Sequence, residues 1–318
     1  MRRLDTLKIK KKSFSIEIEP PNLGRSIKDV FEMLDPLVAL GVEYVDITYH
    51  PEQIVGHEQL NGEKVPIYQR KKPGTAGVAG AILGKYNNRI QPVPHVICTG
   101  FTKYETEEYV IELSYLGVEN MLALRGDSAK GPNDESLPFI PVKGGHSHAS
   151  ELIQQIINLR KGAYVGAKEG GAIDFCIGAG CYPEMHPESF SLEQDILFLK
   201  KKVEAGAEYL TTQLFFDNEK FYAFIDEARK HGIDVPILPG LKPITQASHL
   251  ASLPQIFSCT FPQGLQERIS KAEDKEEAKK IGIDHCIQQS QDLLNNGFTH
   301  LHFYAARKAP IEEIIKAL

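Results

Sequence analysis

The feature that most constrains this chain is an alternation. Eight short apolar or β-branched runs recur along it, each followed by a longer stretch with helical spacing. The runs are FSIEIE (14–19), YVDIT (44–48), HVICT (95–99), NMLAL (120–124), FCIGAG (175–180), YLTTQLFF (209–216), VPILPG (235–240) and HLHFYA (300–305). Between them lie stretches such as DVFEMLDPLVALG, ETEEYVIELSYLG, HASELIQQIINLR and EQDILFLKKKVEAG, where apolar residues return every three or four positions. Gly41, Gly117, Gly206 and Gly232 stand where such helices should stop. Strands alternating with helices imply parallel pairing and right-handed crossovers. Eight such units predict an α/β chain forming one catalytic domain over residues 1–318, a (β/α)8 TIM barrel. The rival is an open doubly wound sheet. It requires a glycine fingerprint after the first strand, and EIEPPNLGRS holds no GxGxxG.

Two segments interrupt the alternation. PEQIVGHEQLNGEKVPIYQRKKPGT, after the second run, reads as a long polar loop, the kind that serves as a lid or mobile segment. FSCTFPQGLQERISKAEDKEEAKKIG joins the last two runs and holds the start of a final long helix.

Charge and cysteine usage narrow the partners. A net charge of −6 and a pI near 6.0 argue against nucleic acid. No apolar run approaches the roughly 20 residues needed to cross a bilayer. The opening MRRLDTLKIKKKS is basic but lacks an apolar core, so it is not a secretory signal, and residues 1–12 are expected to be a flexible lead-in. The five cysteines are odd in number and form no CxxC, which suits reduced thiols in a cytoplasmic protein.

Barrel enzymes place their chemistry at the C-terminal ends of the strands. Here those ends carry Glu17 and Glu19, then Thr48 and Tyr49, Thr99, and Arg125 with Asp127. The later strands add Tyr182, Glu184 and His186, then Gln213 and Asp217, Lys242, and Tyr304. The opposite ends are duller, with Asp174 and Glu208 the exceptions. Neither face of a barrel strand meets solvent, so Glu17 is either paired or catalytic. A desolvated glutamate with its pKa lifted to roughly 6–7 can serve as a general acid. ENMLALRGDS raises the same alternatives: buried charges cost several kcal/mol unless paired or ligand-bound, so Arg125 and Asp127 either cap a strand or face a ligand. His95, before an apolar strand, also fits a satisfied core histidine, YPEMHPES fits a structural turn, and Lys200–Lys202 fit a solvated helix face. The histidines make no metal site, since there is no HExxH and HPEQIVGH has the wrong spacing.

Taken together, the motifs resemble methylenetetrahydrofolate reductases. The resemblance runs from Phe14 to Lys308 through FSIEIEPP, VDITY, PHVICTG, LALRGD, HASELI, GCYPEMHPES, DILFLKKKVEAGA, TTQLFFD, ILPGLKPI and HFYAARK, and it is to the short bacterial form. It implies a barrel holding FAD, with NAD(P)H reducing the flavin and the flavin reducing 5,10-methylenetetrahydrofolate to 5-methyltetrahydrofolate by ping-pong hydride transfer. It also implies a homo-oligomer and a place in one-carbon metabolism and methionine biosynthesis.

Residue by residue, the resemblance makes Glu17 the acid that assists opening of the folate's five-membered ring. Asp127 becomes the aspartate beside flavin and folate, and Gln213 a substrate contact. Thr48, His95, Arg125, Gly126, Asp127, Ala149, Tyr182, His186, Asp195 and Lys202 fall on FAD contacts, and Lys202 and Arg125 become charge partners of the pyrophosphate. The pattern departs at His148, where bacterial relatives often carry a tyrosine, although the ring is still flat enough for a flavin contact. It departs again at KPITQASHL, where no folate contact is assigned, and at HFYAARK, where Arg307 and Lys308 compete for one role. Two alternatives stand beside this reading: a flavin-free folate-binding methyl-transfer barrel, and a non-catalytic barrel retained for assembly.

Overall fold

The computed structural model describes residues 1–9, 11–128, 138–167, 170–304 and 309–318. Its barrel strands are β1 (Ser13–Ile18), β2 (Val42–Ile47), β5 (Gln91–Ile97), β6 (Asn120–Leu124), β7 (Cys176–Cys181), β8 (Tyr209–Thr212), β9 (Ile237–Leu238), β10 (Gly240–Leu241) and β11 (His300–Tyr304). They pair in parallel in the order β10-β11-β1-β2-β5-β6-β7-β8-β9. The last gap is a single residue: Pro239 splits the seventh barrel strand, so β9 pairs with β8 and β10 pairs with β11. Proline has no N–H to give a ladder, and the strand changes partner there. The ring is thus the expected (β/α)8 barrel, closed through a broken strand.

Period-two alternation sorts the side chains of β1. Phe14, Ile16 and Ile18 join the large core shared with Val30, Leu34 and Leu37 of helix α2 (Lys28–Ala39), leaving Ser13, Ser15 and Glu17 to the barrel interior. The interior holds a second apolar layer of Tyr44, Val93, Leu122, Cys176, Tyr209 and Leu238. The surrounding helices start on local signals. Thr102 and Glu105 form a reciprocal capping box on α4 (Lys103–Tyr115), while Ser191 caps α6 (Leu192–Glu204) and Asp217 caps α7 (Asn218–Lys230).

Three expectations need correction. The segment 51–75 is a hairpin rather than an irregular loop: β3 (Gln53–Leu60) pairs antiparallel with β4 (Glu63–Gln69). Asn61 and Gly62 both have positive φ, as a two-residue type I′ turn demands, so the NG dipeptide was a legible hairpin signal. The run 209–216 is a strand only to Thr212. Beyond it, Phe215 stacks on Phe221 and Phe216 packs on Phe261.

The third correction concerns the basic lead-in, which is an ordered part of the barrel. Residues Arg3–Lys8 form helix α1, whose Leu4 and Leu7 pack against the interior apolar layer. Arg2 bridges Asp174 and Glu208, at 2.6 and 3.0 Å, and Arg160 pairs with the same two carboxylates. Those two acids are therefore spent on closing the N-terminal end of the barrel.

Candidate active site

Glu17 stands at the C-terminal end of β1, level with Asp46 of β2 on one side and Tyr304 of β11 on the other. Its side chain keeps 23% exposure toward the mouth, and its Oε2 lies 3.6 Å from His95 Nε2. Burial pushes the Glu17 carboxyl up to about 8, with the charge of Asp46 adding to it, Lys242 opposing, and Glu19 and Asp127 adding smaller amounts. Burial also lowers His95 to about 4, against the pull of Asp46. Near neutrality the contact is therefore between a neutral acid and a neutral imidazole. His95 Nε2 is buried and has no hydrogen-bond partner among the described residues. An orphaned polar atom beside a protonated acid marks a place where a ligand completes the bonding.

A second cluster faces the same mouth from β6 and β7. Arg125 makes a bidentate pair with Glu188, at 2.5 and 2.7 Å, and lies over the Phe139 ring. Tyr182 meets His186 edge-on at 4.6 Å, and Lys202, half-buried at the end of α6, donates to the Gly180 carbonyl at 2.8 Å with its ammonium 6.0 Å from the Tyr182 ring. Burial lowers Lys202 and His186 and raises Tyr182. Asp195 accepts from the His186 backbone N–H and from the Ser189 hydroxyl, so it anchors the loop after β7. Glu184 fixes that loop from its other side, accepting from the Lys220 ammonium at 2.6 Å and the Thr260 backbone N–H at 3.1 Å.

Gly126 joins the two clusters. Its φ of +85° is open to glycine, and a Cβ there would meet Ile97 Cβ and Thr99 Oγ1 at 2.9 Å. The tight turn brings the exposed Asp127 near enough to Glu17 and to Tyr182 to act on both electrostatically. Thr48 donates to the Ile18 carbonyl at 3.3 Å and meets His50, which also contacts Lys72. Lys72, at the root of the hairpin, pairs with Glu19 at 2.8 Å.

Most of the expected residues thus converge. Glu17 and His95 form one cluster and Arg125, Tyr182, His186, Asp195 and Lys202 the other, with Gly126 and Asp127 between them, and Gln213 adjoins the second through its N–H to the Cys181 carbonyl. His148 and Ala149 are different. They begin helix α5 (Ala149–Arg160), where Glu151 caps the backbone N–H groups of Ser147 and His148, and no hydrogen bond joins them to the clusters among the described residues. Arg307 and Lys308 lie outside the described residues. Sequence reasoning placed Lys242 and Tyr304 at the strand ends without giving them a role, and it missed Asp46, which adjoins Glu17, and His302, which meets Asp46 and Ser15. An aspartate inside the apolar run YVDIT was the available signal. Burial lowers Lys242, opposed by Glu17 and Glu19, and raises Tyr304, whose hydroxyl donates to the Thr212 carbonyl at 2.6 Å.

The residues present fit a large planar cofactor carrying a diphosphate. Lys202 and Arg125 supply half-buried cations, Tyr182 and His186 supply rings, and Gly126 lets backbone approach closely. Fold and site together define a (β/α)8 barrel with a desolvated acid and an exposed carboxylate sharing one mouth.

Comparison with known proteins refines the class. The chain matches the methylenetetrahydrofolate reductase family over residues 2–318, and it belongs to that family. It is 28% identical over 314 residues to a probable methylenetetrahydrofolate reductase (NADPH) of Caenorhabditis elegans, covering 97% of this chain and 42% of that protein. It is 29% identical to methylenetetrahydrofolate reductase (NADH) 1 of Arabidopsis thaliana, covering 92% and 45%. The chain thus spans somewhat under half the length of these relatives. Against the 5,10-methylenetetrahydrofolate reductase of Escherichia coli it is 26% identical, covering 95% of this chain and 88% of that one. A Clostridium thermocellum protein described as binding two copies of 5-methyl-5,6,7,8-tetrahydrofolic acid shares the fold, with a TM-score of 0.59 at 14% identity over 100% and 97% of the two chains. Among the described residues, no helix is long and apolar enough to cross a membrane.

Proposed function

We propose that this chain reduces 5,10-methylenetetrahydrofolate to 5-methyltetrahydrofolate, with FAD as resident cofactor and NAD(P)H as electron donor in alternating half-reactions. What carries this reading is the placement of Glu17 at the end of β1, beside Asp46 and 3.6 Å from His95, with Asp127 near enough to act on it; burial and Asp46 both favour its protonated form. FAD, when bound, accepts hydride from the nicotinamide and returns it to the folate.

The chain's own residues do the rest. In the closed imidazolidine ring, N10 leaves only as a protonated amine. Glu17 supplies that proton and becomes a carboxylate, while the N10–carbon bond breaks and its electron pair stays on N10. The cation left on N5 and the methylene carbon then faces two carboxylates, Glu17 and Asp127, which lower its energy electrostatically. Hydride adds to the methylene carbon and completes the methyl group. Glu17 regains its proton from water through its exposed edge. Arg125 and Lys202 would hold the diphosphate, Tyr182, His186 and Thr48 would orient the ring system, and Gln213 would contact the substrate.

The test separates the half-reactions by stopped-flow. Glu17→Gln leaves flavin reduction by NADH or NADPH within a few-fold of wild type and lowers folate reduction by at least the roughly 10²–10⁴-fold typical of a lost general acid. Equal losses in both halves would remove the acid role. Purified protein that is colourless and takes up no added FAD would instead favour the flavin-free methyl-transfer barrel.

A further inference from the structure

The N-terminal helix does more than close the lower end of the barrel. Arg3 is 1% exposed, and its Nη1 donates to both carboxylate oxygens of Asp46, at 2.9 and 3.0 Å; Asp46 itself is fully buried. The guanidinium lies between the Tyr44 and Tyr209 rings, 5.0 and 5.2 Å from their centroids. The Arg3 backbone N–H donates to Asn120 Oδ1 at 2.6 Å, and the Thr6 hydroxyl meets the Tyr44 hydroxyl at 2.6 Å. The first helix is therefore held from β2, β6 and β8, and it carries a cation up the barrel axis. Burying an arginine and an aspartate costs several kcal/mol for each ion before they attract one another. An apolar pair would close the end at lower cost.

What the pair touches suggests its use. Asp46 is the β2 neighbour of Glu17 in the sheet register. On its other side, Asp46 Oδ2 is 3.6 Å from His302 Nδ1, which also meets the Ser15 hydroxyl at 2.9 Å. Burial keeps His302 well below the ordinary histidine range, so Arg3 is the cation that faces Asp46. The pair is then a fixed dipole along the barrel axis, with its negative end beside Glu17. The other charged or titratable groups acting on Glu17 are Lys242 beyond β10, Glu19 on its own strand, Asp127 after β6, His95 of β5 and Tyr304 of β11.

We infer that Arg3, inserted from the closed end of the barrel, is a positioning residue for the reaction at the open end: it holds Asp46 in place as a carboxylate and, through it, sets the proton affinity of Glu17. The inference rests on Glu17 being the acid. Its sign follows from which charge is nearer. Asp46 is the neighbour of Glu17 in the register and Arg3 lies behind it; stripped of the guanidinium, Asp46 at zero exposure is an uncompensated buried charge and does not keep its place beside Glu17 as one. Losing the nearer negative charge outweighs losing the farther positive one, so Glu17 loses its proton at lower pH.

The experiment titrates Glu17 in the protein without turnover. Infrared difference spectra identify the protonated carboxyl band that disappears in Glu17→Gln, and its pH midpoint is followed in Arg3→Met and Arg3→Lys. Arg3→Met lowers the midpoint by about one pH unit or more, and the alkaline limb of the folate half-reaction moves down with it. Arg3→Lys, which keeps the cation, retains most of the wild-type value. An unchanged or raised midpoint in Arg3→Met would overturn the inference and leave Arg3 a purely structural plug. Should Arg3→Met fail to fold, Arg3→Gln, which keeps a hydrogen-bond donor but no charge, takes its place and must show the same fall; an unchanged or raised midpoint there overturns the inference as well. If no protonated band belongs to Glu17 near neutrality, the acid reading itself fails, an outcome distinct from an Arg3 variant that leaves a genuine Glu17 band unmoved.

Discussion

Glu17→Gln should make this protein more stable, and by an amount that depends on pH. The Glu17 carboxyl is raised from an ordinary 4.5 to about 8. Below 4.5 the folded and unfolded chains both carry the proton, and burial costs nothing extra in charge. Above it the unfolded chain ionises and the folded chain does not, so folding loses about 1.4 kcal/mol for each further pH unit. Between 4.5 and neutrality the loss reaches roughly 3 kcal/mol, and it levels off once the pH passes the folded value near 8. Glutamine keeps the shape and stays neutral at every pH, so the variant escapes this penalty. Its altered contact with His95 adds an offset that does not vary across the same range, since His95 is already neutral there. Urea unfolding of both proteins at about pH 5, 6, 7 and 8 gives the difference directly. The stability gained by the variant should climb by roughly 2–4 kcal/mol across that interval. A flat difference would mean that Glu17 is solvated in the native state, and the argument for a poised acid would collapse.

Two further outcomes follow from the cofactor side of the mouth. Lys202→Met preserves bulk but removes the half-buried ammonium; a charge-assisted contact worth roughly 1.5–3 kcal/mol predicts flavin affinity weaker by about 10- to 100-fold, and unchanged affinity in equilibrium dialysis would exclude a phosphate contact. Gly126→Ala forces a Cβ against Ile97 and Thr99 at positive φ, so the protein should lose roughly 2–4 kcal/mol of stability and hold flavin less well; a thermal melt matching wild type would show that the turn can relax without cost.

The particular elements show where sequence reasoning succeeds. β1 declares itself because Phe14, Ile16 and Ile18 alternate with Ser15 and Glu17, and a barrel strand gives each set its own environment. Gly126, picked out between Arg125 and Asp127 only as a cofactor contact, has φ +85° and so makes a turn that glycine accommodates. The hairpin was equally legible through Asn61 and Gly62, but its polar composition pointed to a loop. Pro239 likewise stood inside the seventh run, although nothing local to it says that the two halves of a strand will pair with different neighbours.

The order of strands and helices, the helix caps and the residue types at each strand end were determined by the chain alone, because propensity, periodicity and capping act over a few residues. The tertiary structure decided everything that depends on closing the ring. Arg3 and Asp46 are 43 positions apart in sequence and joined in space, Arg3 Nη1 donating to both Asp46 oxygens. The N-terminal segment reads as a basic tail until the barrel offers it an interior carboxylate. Glu17 stood out in the sequence as an acid in a barrel strand, but its neighbours Asp46, His95 and Tyr304 come to it only when β2, β5 and β11 assemble around it. Desolvation and long-range charge belong to the assembled volume, which no stretch of sequence contains.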